Sequence, residues 1–321
     1  MNLLTPEVLV ILILDAIFAF LGTIAFVLSL KIVFKWDINS TSTTQYKLEK
    51  QSYLIATIIK YILYIKLPMF LYFIFVQDKL SIYIPGAMCA VGVVNSTSYG
   101  FYAMIVKIIN LYLFSSWLVL NKVDLENEKM PYTKIKFVFY IIIYFFLMSE
   151  ITLQVMEFFS LDPSRIVSCC GTVFSAASKS YVSSLLSLPN SLIVSVFYIN
   201  FLLVLISYAF KKTIYFMVLN LFFIFTAIVS LIAFFGTYIY ELPTHHCPFC
   251  MLQGDYHYIG YVLYTTLFIG TFSAIGAFIY QVTKKNCQKF KIVSIFFDII
   301  YVLIVSAYPI VYFIKNGVWL Q

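Results

Sequence analysis

The segment His245-His246-Cys247-Pro248-Phe249-Cys250-Met251, set between Pro243 and Gly254, gathers two imidazoles, two thiols and a thioether in one short run. His257 follows closely, so every histidine of the chain lies in this region. Two further segments carry thiols: Pro85-Gly86-Ala87-Met88-Cys89, and Ser168-Cys169-Cys170-Gly171. A Cys-x-x-Cys spacing lets two sulfurs converge from one turn, and adjacent imidazoles add nitrogen donors. Thiolate, thioether and imidazole form a soft donor set suited to Cu(I) or Zn(II), and unsuited to magnesium or calcium. Met88 and Met251 tip the choice toward Cu(I). The expected ligands are His245, His246, Cys247 and Cys250, with Cys247, Cys250 and His246 foremost. Cys89, Cys169 and Cys170 would complete the coordination or alternate in it. Affinity for such a metal rises with pH, because the thiols must lose protons and the imidazoles must be neutral.

A second chemistry uses the same residues. Cys247-Pro248-Phe249-Cys250 resembles the active-site spacing of thioredoxin and glutaredoxin family proteins, in which the first thiol attacks and the second resolves. The resemblance covers four residues, without the surrounding soluble βαβ pattern of those families. In architecture the chain is also similar to membrane thiol oxidoreductases that pass electrons between external cysteine pairs and a quinone. That resemblance implies Cys247 and Cys250 as a catalytic redox pair, another loop cysteine as electron partner, and a quinone under this reading only. Five loop thiols, a vicinal pair and a histidine doublet depart from a simple two-pair relay. A third reading is structural: thiols stapled as disulfides, which an oxidising compartment permits. Five thiols cannot all pair within one chain, and the vicinal Cys169 and Cys170 would be strained as a bonded pair.

These residues have to be positioned by membrane helices. Of 321 residues, 62% are hydrophobic and only 11% charged, with a mean hydropathy of +0.95. Soluble domains carry about 25% charged residues, so an ordinary soluble domain is excluded. The pattern predicts an all-α integral membrane protein, a polytopic bundle of about eight helices forming a single domain over 1–321. The expected spans are Val8 to Phe34, Ser52 to Val76, Tyr99 to Leu120, Phe137 to Phe159, Ser191 to Phe210, Ile214 to Tyr240, Tyr258 to Val282 and Ile292 to Ile314. Each is long enough to cross a hydrocarbon layer of about 30 Å as a helix, which satisfies its own backbone there. The N-terminal run reads as the first span, because no basic region precedes it and Lys31 and Lys35 follow it.

Orientation follows from basic residues in the loops. The loops after the odd-numbered spans carry thirteen lysines, whereas the opposite loops and tails carry only Lys79, Arg165, Lys179 and Lys315. The lysine-rich face is expected to be cytoplasmic, and both termini extracytoplasmic. The loops at about 77–98, 160–190 and 241–257 then face outward with five cysteines, and only Cys287 is cytoplasmic. A bacterial inner (plasma) membrane is the expected location, with the lipid bilayer as the obligatory partner. An extracytoplasmic metallochaperone or a thiol-bearing protein would be the soluble partner. The net charge of +7 is mostly a topology signal, and no basic, aromatic-interleaved stretch suggests nucleic acid.

Ionisable residues interrupt the spans: Asp15, Lys60, Lys66, Lys107, Glu150, Glu157 and Asp298. Charges in lipid are costly, so Asp15, Lys66, Lys107, Glu150 and Glu157 are expected to face the bundle interior. They read first as structural ion pairs and second as a polar path for protons or an ion, while Lys60 snorkels. Pro68 and Pro309 suggest broken helices. Tyr99, Tyr102, Tyr238, Tyr240, Tyr256, Tyr258 and Tyr261 read as interfacial belts. No P-loop, dinucleotide fingerprint, nucleophile elbow or His-Glu-x-x-His pattern occurs. The leading expectation is therefore an extracytoplasmic Cys/His site that binds or transfers a soft metal ion. The alternatives are a thiol–disulfide oxidoreductase, a permease-like subunit of a transporter, or a seven-helix receptor.

Overall fold

A computed structural model of the chain describes residues 5–37, 42–127, 130–164, 166–167, 188–209 and 212–320. Cys169, Cys170, Phe210 and the basic residues Lys129, Arg165, Lys179 and Lys211 lie outside the described residues. Within them the secondary structure is entirely helical: α1 (Pro6–Lys35), α2 (Thr43–Leu80), α3 (Ala90–Ser96), α4 (Gly100–Leu125), α5 (Thr133–Phe159), α6 (Asn190–Ser207), α7 (Thr213–Tyr240), α8 (Ile259–Val282) and α9 (Gln288–Asn316). All except the short α3 are long and apolar enough to cross a membrane, which makes eight candidate spans and implies a lipid bilayer around them.

Several helices outrun the apolar stretches. Helix α2 begins at Thr43, well before the expected Ser52, because the Ser42 side chain accepts the Gln45 N–H at 3.2 Å and caps a polar first turn. Helices α5 and α9 likewise begin at Thr133 and Gln288, four residues ahead of the hydropathic boundaries. Pro68 and Pro309 lie inside continuous helices and do not break them. Each proline removes one backbone donor, a loss that membrane helices tolerate when neighbouring groups compensate. The 77–98 region, read from sequence as a loop, holds the end of α2 and the seven-residue α3.

The chain divides into two compact units, Met1–Ile84 with Val93–Arg165, and Pro85–Gly92 with Ile166–Gln321. In the first, α1, α2, α4 and α5 pack as a closed ring, α1 on α2 and α5, α4 on α2 and α5. Its apolar core is built from Phe18, Ile59, Leu63, Trp117, Tyr140 and Leu147 among others. The α4–α5 hairpin is fixed by buried Asp124, which accepts from Tyr132 N–H at 2.8 Å and Thr133 Oγ1 at 2.9 Å and pairs with Lys136 at 2.7 Å.

The centre of this ring is polar. Lys66 Nζ stands 2.6 Å from Asp15 and 3.1 Å from Glu150, and Lys107 Nζ is 2.8 Å from the same Glu150 oxygen. Asn110 donates to the other Glu150 oxygen at 2.5 Å, and Gln154 donates to the other Asp15 oxygen at 2.6 Å. Every one of these side chains is buried.

In the second unit α6 packs on α7, α7 on α8 and α8 on α9. The α8–α9 contact is close because a Cβ on Gly270 would meet Asp298, and one on Gly276 would lie 2.7 Å from the Phe290 ring. Small residues that let backbones approach are the usual means by which helices associate in lipid. Phe197, Phe223, Phe235 and Tyr301 fill the core beside them, with ring centroids 5.3–6.4 Å apart.

Removing one member of a buried ion network strands its partners, at a typical cost of about 3–5 kcal/mol. Lys66→Met is expected to lower stability by about that much, and Lys66→Met with Asp15→Leu to regain part of it, because an apolar pair replaces an ionic one. Thermal unfolding of the purified protein in detergent tests both.

Candidate metal centre

Helix α7 changes geometry before it ends. Leu231–Phe235 form a π-helical turn, which displaces the local hydrogen-bond ladder, and α7 closes at Tyr240 with Glu241 left-handed at φ 54°. The Ile232 carbonyl within that turn lies 3.0 Å from His246 Nδ1. A carbonyl only accepts, so Nδ1 carries the proton and His246 anchors the loop to α7. Cys250–Leu252 then form a short 3-10 turn, with the Leu252 and Gln253 N–H groups donating to Phe249 and Cys250 at 2.9 and 3.0 Å.

Two phenols hold the Cys247–Cys250 turn in shape. The Tyr240 hydroxyl donates to the Cys247 carbonyl and accepts the Met251 N–H at 3.0 Å, bracketing the motif at both ends. The Tyr264 hydroxyl, from α8, donates to the Pro248 carbonyl at 2.5 Å. Gly260 at the start of α8 leaves room for the turn, since a Cβ there would stand 2.7 Å from the Met251 side chain.

Cys89 arrives from the segment between α2 and α3. Gln253 Nε2 donates to the Met88 carbonyl at 3.0 Å, tying this segment to the turn, and the Gly92 N–H donates to the Cys89 carbonyl at 3.0 Å. The result is a cluster of three buried sulfurs, Cys89, Cys247 and Cys250, all within 4.8 Å of one another. Cys89 and Cys247 Sγ are 3.6 Å apart. That is far beyond the disulfide bond length of about 2.05 Å. Three sulfurs bound to one ion at about 2.3 Å would lie about 3.8–4.0 Å apart by simple trigonometry, inside the 4.8 Å that encloses this cluster, and the 3.6 Å Cys89–Cys247 separation is also that of a thiol hydrogen bond. Among the described residues the cysteines are thiols.

The other expected ligands fall in different places. His245 packs edge-on against Tyr240 with centroids 4.3 Å apart, and its Nε2 is buried with no hydrogen-bond partner among the described residues. Burial lowers its imidazole below the ordinary histidine value, while the nearby Cys89 sulfur opposes the shift. A neutral imidazole with a buried, unengaged nitrogen is suited to ligation. His246 is occupied by the Ile232 carbonyl through one nitrogen, and His257 is exposed at the turn before α8. Met88 is 69% exposed, whereas Met251 is buried in the core. Cys169 and Cys170 lie outside the described residues.

The intramembrane candidates Asp15, Lys66, Lys107 and Glu150 are joined in one network, and Glu157 is bonded to Gln77 at 2.7 Å. Tyr240, assigned from sequence to an interfacial belt, is instead a buried support of the cysteine turn; exposed Tyr258 suits the belt. Asn110, Gln154 and Gln77 escaped the sequence reading. The spacing of Glu150, Gln154 and Glu157 along one face of α5 is the signal that identifies Gln154. Comparison with protein-family models, curated proteins and solved structures finds no match.

Tyr240→Phe removes one donor and one acceptor together, leaving the Cys247 carbonyl and the Met251 N–H unsatisfied. A loss of about 1–3 kcal/mol is expected, with faster alkylation of Cys247 and Cys250 by maleimide. Unfolding and thiol-labelling rates measure the two effects.

Proposed function

We propose that the protein binds a soft metal ion, Cu(I) in preference to Zn(II), at Cys89, Cys247 and Cys250, and holds it for transfer or assembly on the extracytoplasmic side of the membrane. The observation that carries this reading is the convergence of three buried sulfurs at metal-sharing distance, from stretches 158 residues apart in sequence. An all-sulfur trio suits trigonal Cu(I), and thiolates favour soft ions generally. His245 is the candidate fourth donor, since its buried Nε2 lacks another use, and its ring would have to move toward the sulfurs because its nitrogens stand outside their 4.8 Å cluster. A fourth ligand would bring the site toward the tetrahedral arrangement that Zn(II) takes. Tyr240, which brackets the cysteine turn, also lines a surface recess with Glu241, Asp255, Tyr256 and His257.

Thiol–disulfide exchange through Cys247 and Cys250 remains the rival. Its spacing and the 3-10 turn beginning at Cys250 favour it, and the near-complete burial of all three sulfurs counts against attack by a partner protein's thiol. The orientation rests on the lysine asymmetry of the loops, which places Cys287 in the cytoplasm and both termini outside. A bacterial inner membrane is the setting that this reading assumes.

Protein purified anaerobically without chelator is expected to carry about one copper or zinc ion per chain, a ratio that Cys247→Ser with Cys250→Ser abolishes. Cys89→Ser and His245→Gln are expected to weaken binding in that order. Affinity should fall as pH falls, because protons compete for each thiolate. Metal-free protein with a reversible Cys247–Cys250 disulfide, trapped as a mixed disulfide when Cys250 alone is replaced, would favour exchange instead. For orientation, a variant retaining Cys287 as its sole cysteine should react with a membrane-impermeant maleimide only after the cells are permeabilised.

A further inference from the structure

Apart from the Asp124–Lys136 pair, the interior of the first unit holds three carboxyl groups, Asp15, Glu150 and Glu157, against two ammonium groups, Lys66 and Lys107. Asp15 and Glu150 are each in salt-bridge contact with lysine. Glu157 is the acid left over. Its Oε1 accepts the Gln77 amide at 2.7 Å. Its Oε2 and the Gln77 Oε1 are both buried and have no partner among the described residues. Both residues are fully buried, at 0% exposure.

Among the described residues no other side chain donates to this carboxyl. From α4, Gly100 backs onto the carboxyl, where a Cβ would stand 2.8 Å from Oε1. Lys107, the α4 cation whose field reaches Glu157, is engaged by Glu150 at 2.8 Å. From α1, Asp15 is taken by Lys66 and Gln154. On α5 itself, Gln154 and Glu150 look to Asp15 and to the two lysines. The Glu157–Gln77 pair thus has two orphaned acceptors and one unbalanced negative charge. Either is expensive in a buried site removed from solvent.

We propose that Glu157 and Gln77 form a buried proton-binding site near the ends of α2 and α5, in which one exchangeable proton on Glu157 Oε2 balances the charge of the cluster and supplies the donor that the pair lacks. Uptake is a plain transfer: hydronium protonates the carboxylate and leaves water, and release reverses it. A proton suits the pair better than a metal cation such as Mg²⁺ or Ca²⁺, which gathers about six or more oxygens where this pair offers two orphans. Ionisable groups held inside helical bundles are the usual carriers in membrane proton relays. The site is independent of the thiol cluster and stands or falls separately from the metal reading.

Infrared spectroscopy of the full-length protein in lipid nanodiscs tests it. The expected result is a protonated-carboxyl C=O stretch that shifts down in D₂O, fades as pH is raised and is lost in Glu157→Gln. That variant carries an N–H donor where the proton would sit, and should melt at or above the temperature of the parent. Gln77→Leu should keep the band but move it to higher frequency, because the carboxyl loses its amide partner. Identical carboxyl spectra for parent and Glu157→Gln would overturn the proposal. So would absence of the band together with sodium-dependent melting of the parent, which would assign the pair to a metal cation. If Glu157→Gln fails to fold, Gln77→Leu decides, and an unmoved band overturns the proposal.

Discussion

Lys66 brings a positive charge into the buried middle of a helical ring, and the first unit is arranged around that fact. Asp15 from α1 and Glu150 from α5 close on it from two sides. Lys107 from α4 shares the second carboxylate. Four helices therefore meet through one ionic chain, and none can shift without separating opposite charges in a medium that penalises the separation. The apolar residues around it give the ring its bulk but little choice of register, because lipid is as apolar as leucine and helix association in membranes needs packing and polar contacts to specify it. The ionic chain supplies that specification.

The second unit solves a different problem, which is to hold a loop firmly enough to bring three sulfurs together. Its means are hydroxyls and carbonyls at the rim of the helices. Tyr240 ends α7 and brackets the Cys247–Cys250 turn, Tyr264 seats Pro248, and a carbonyl of the π-helical turn receives His246. Close approach of α8 and α9 over Gly270 and Gly276 gives those rims a stable base. The placement of the thiols follows from the groups that fix the backbone on either side of them.

Much of the helix content was legible in the sequence, and the reason is simple: a span of lipid imposes a length and a composition that few other constraints mimic. The eight spans appear where hydropathy places them, and the departures occur at ends such as Thr43 and Gln288, where a cap or a polar turn extends the helix beyond the apolar run. Pro68 misled for the opposite reason, since one missing donor is not a broken helix. The thiol cluster was legible in part. Residue types picked out Cys247 and Cys250, but only folding could say that Cys89 joins them and that His246 turns instead toward Ile232. Tyr240 was hidden because a tyrosine at the end of a span has the same appearance whether it faces headgroups or braces a loop. Gln77 and Asn110 were hidden because neutral amides carry no charge to draw attention to them.

The path of the chain through Pro85–Gly92 has a consequence for how the protein is made. This short segment lies between helices of the first unit in sequence but belongs to the second, whose helices are synthesised later. Cys89 therefore leaves the ribosome well before Cys247 and Cys250, which follow 158 and more residues behind it. Throughout that interval Cys89 lacks the two sulfurs it stands beside in the finished fold. The cluster is thus the last part of the site to form, waiting on the synthesis of α7 and of the turn that follows it.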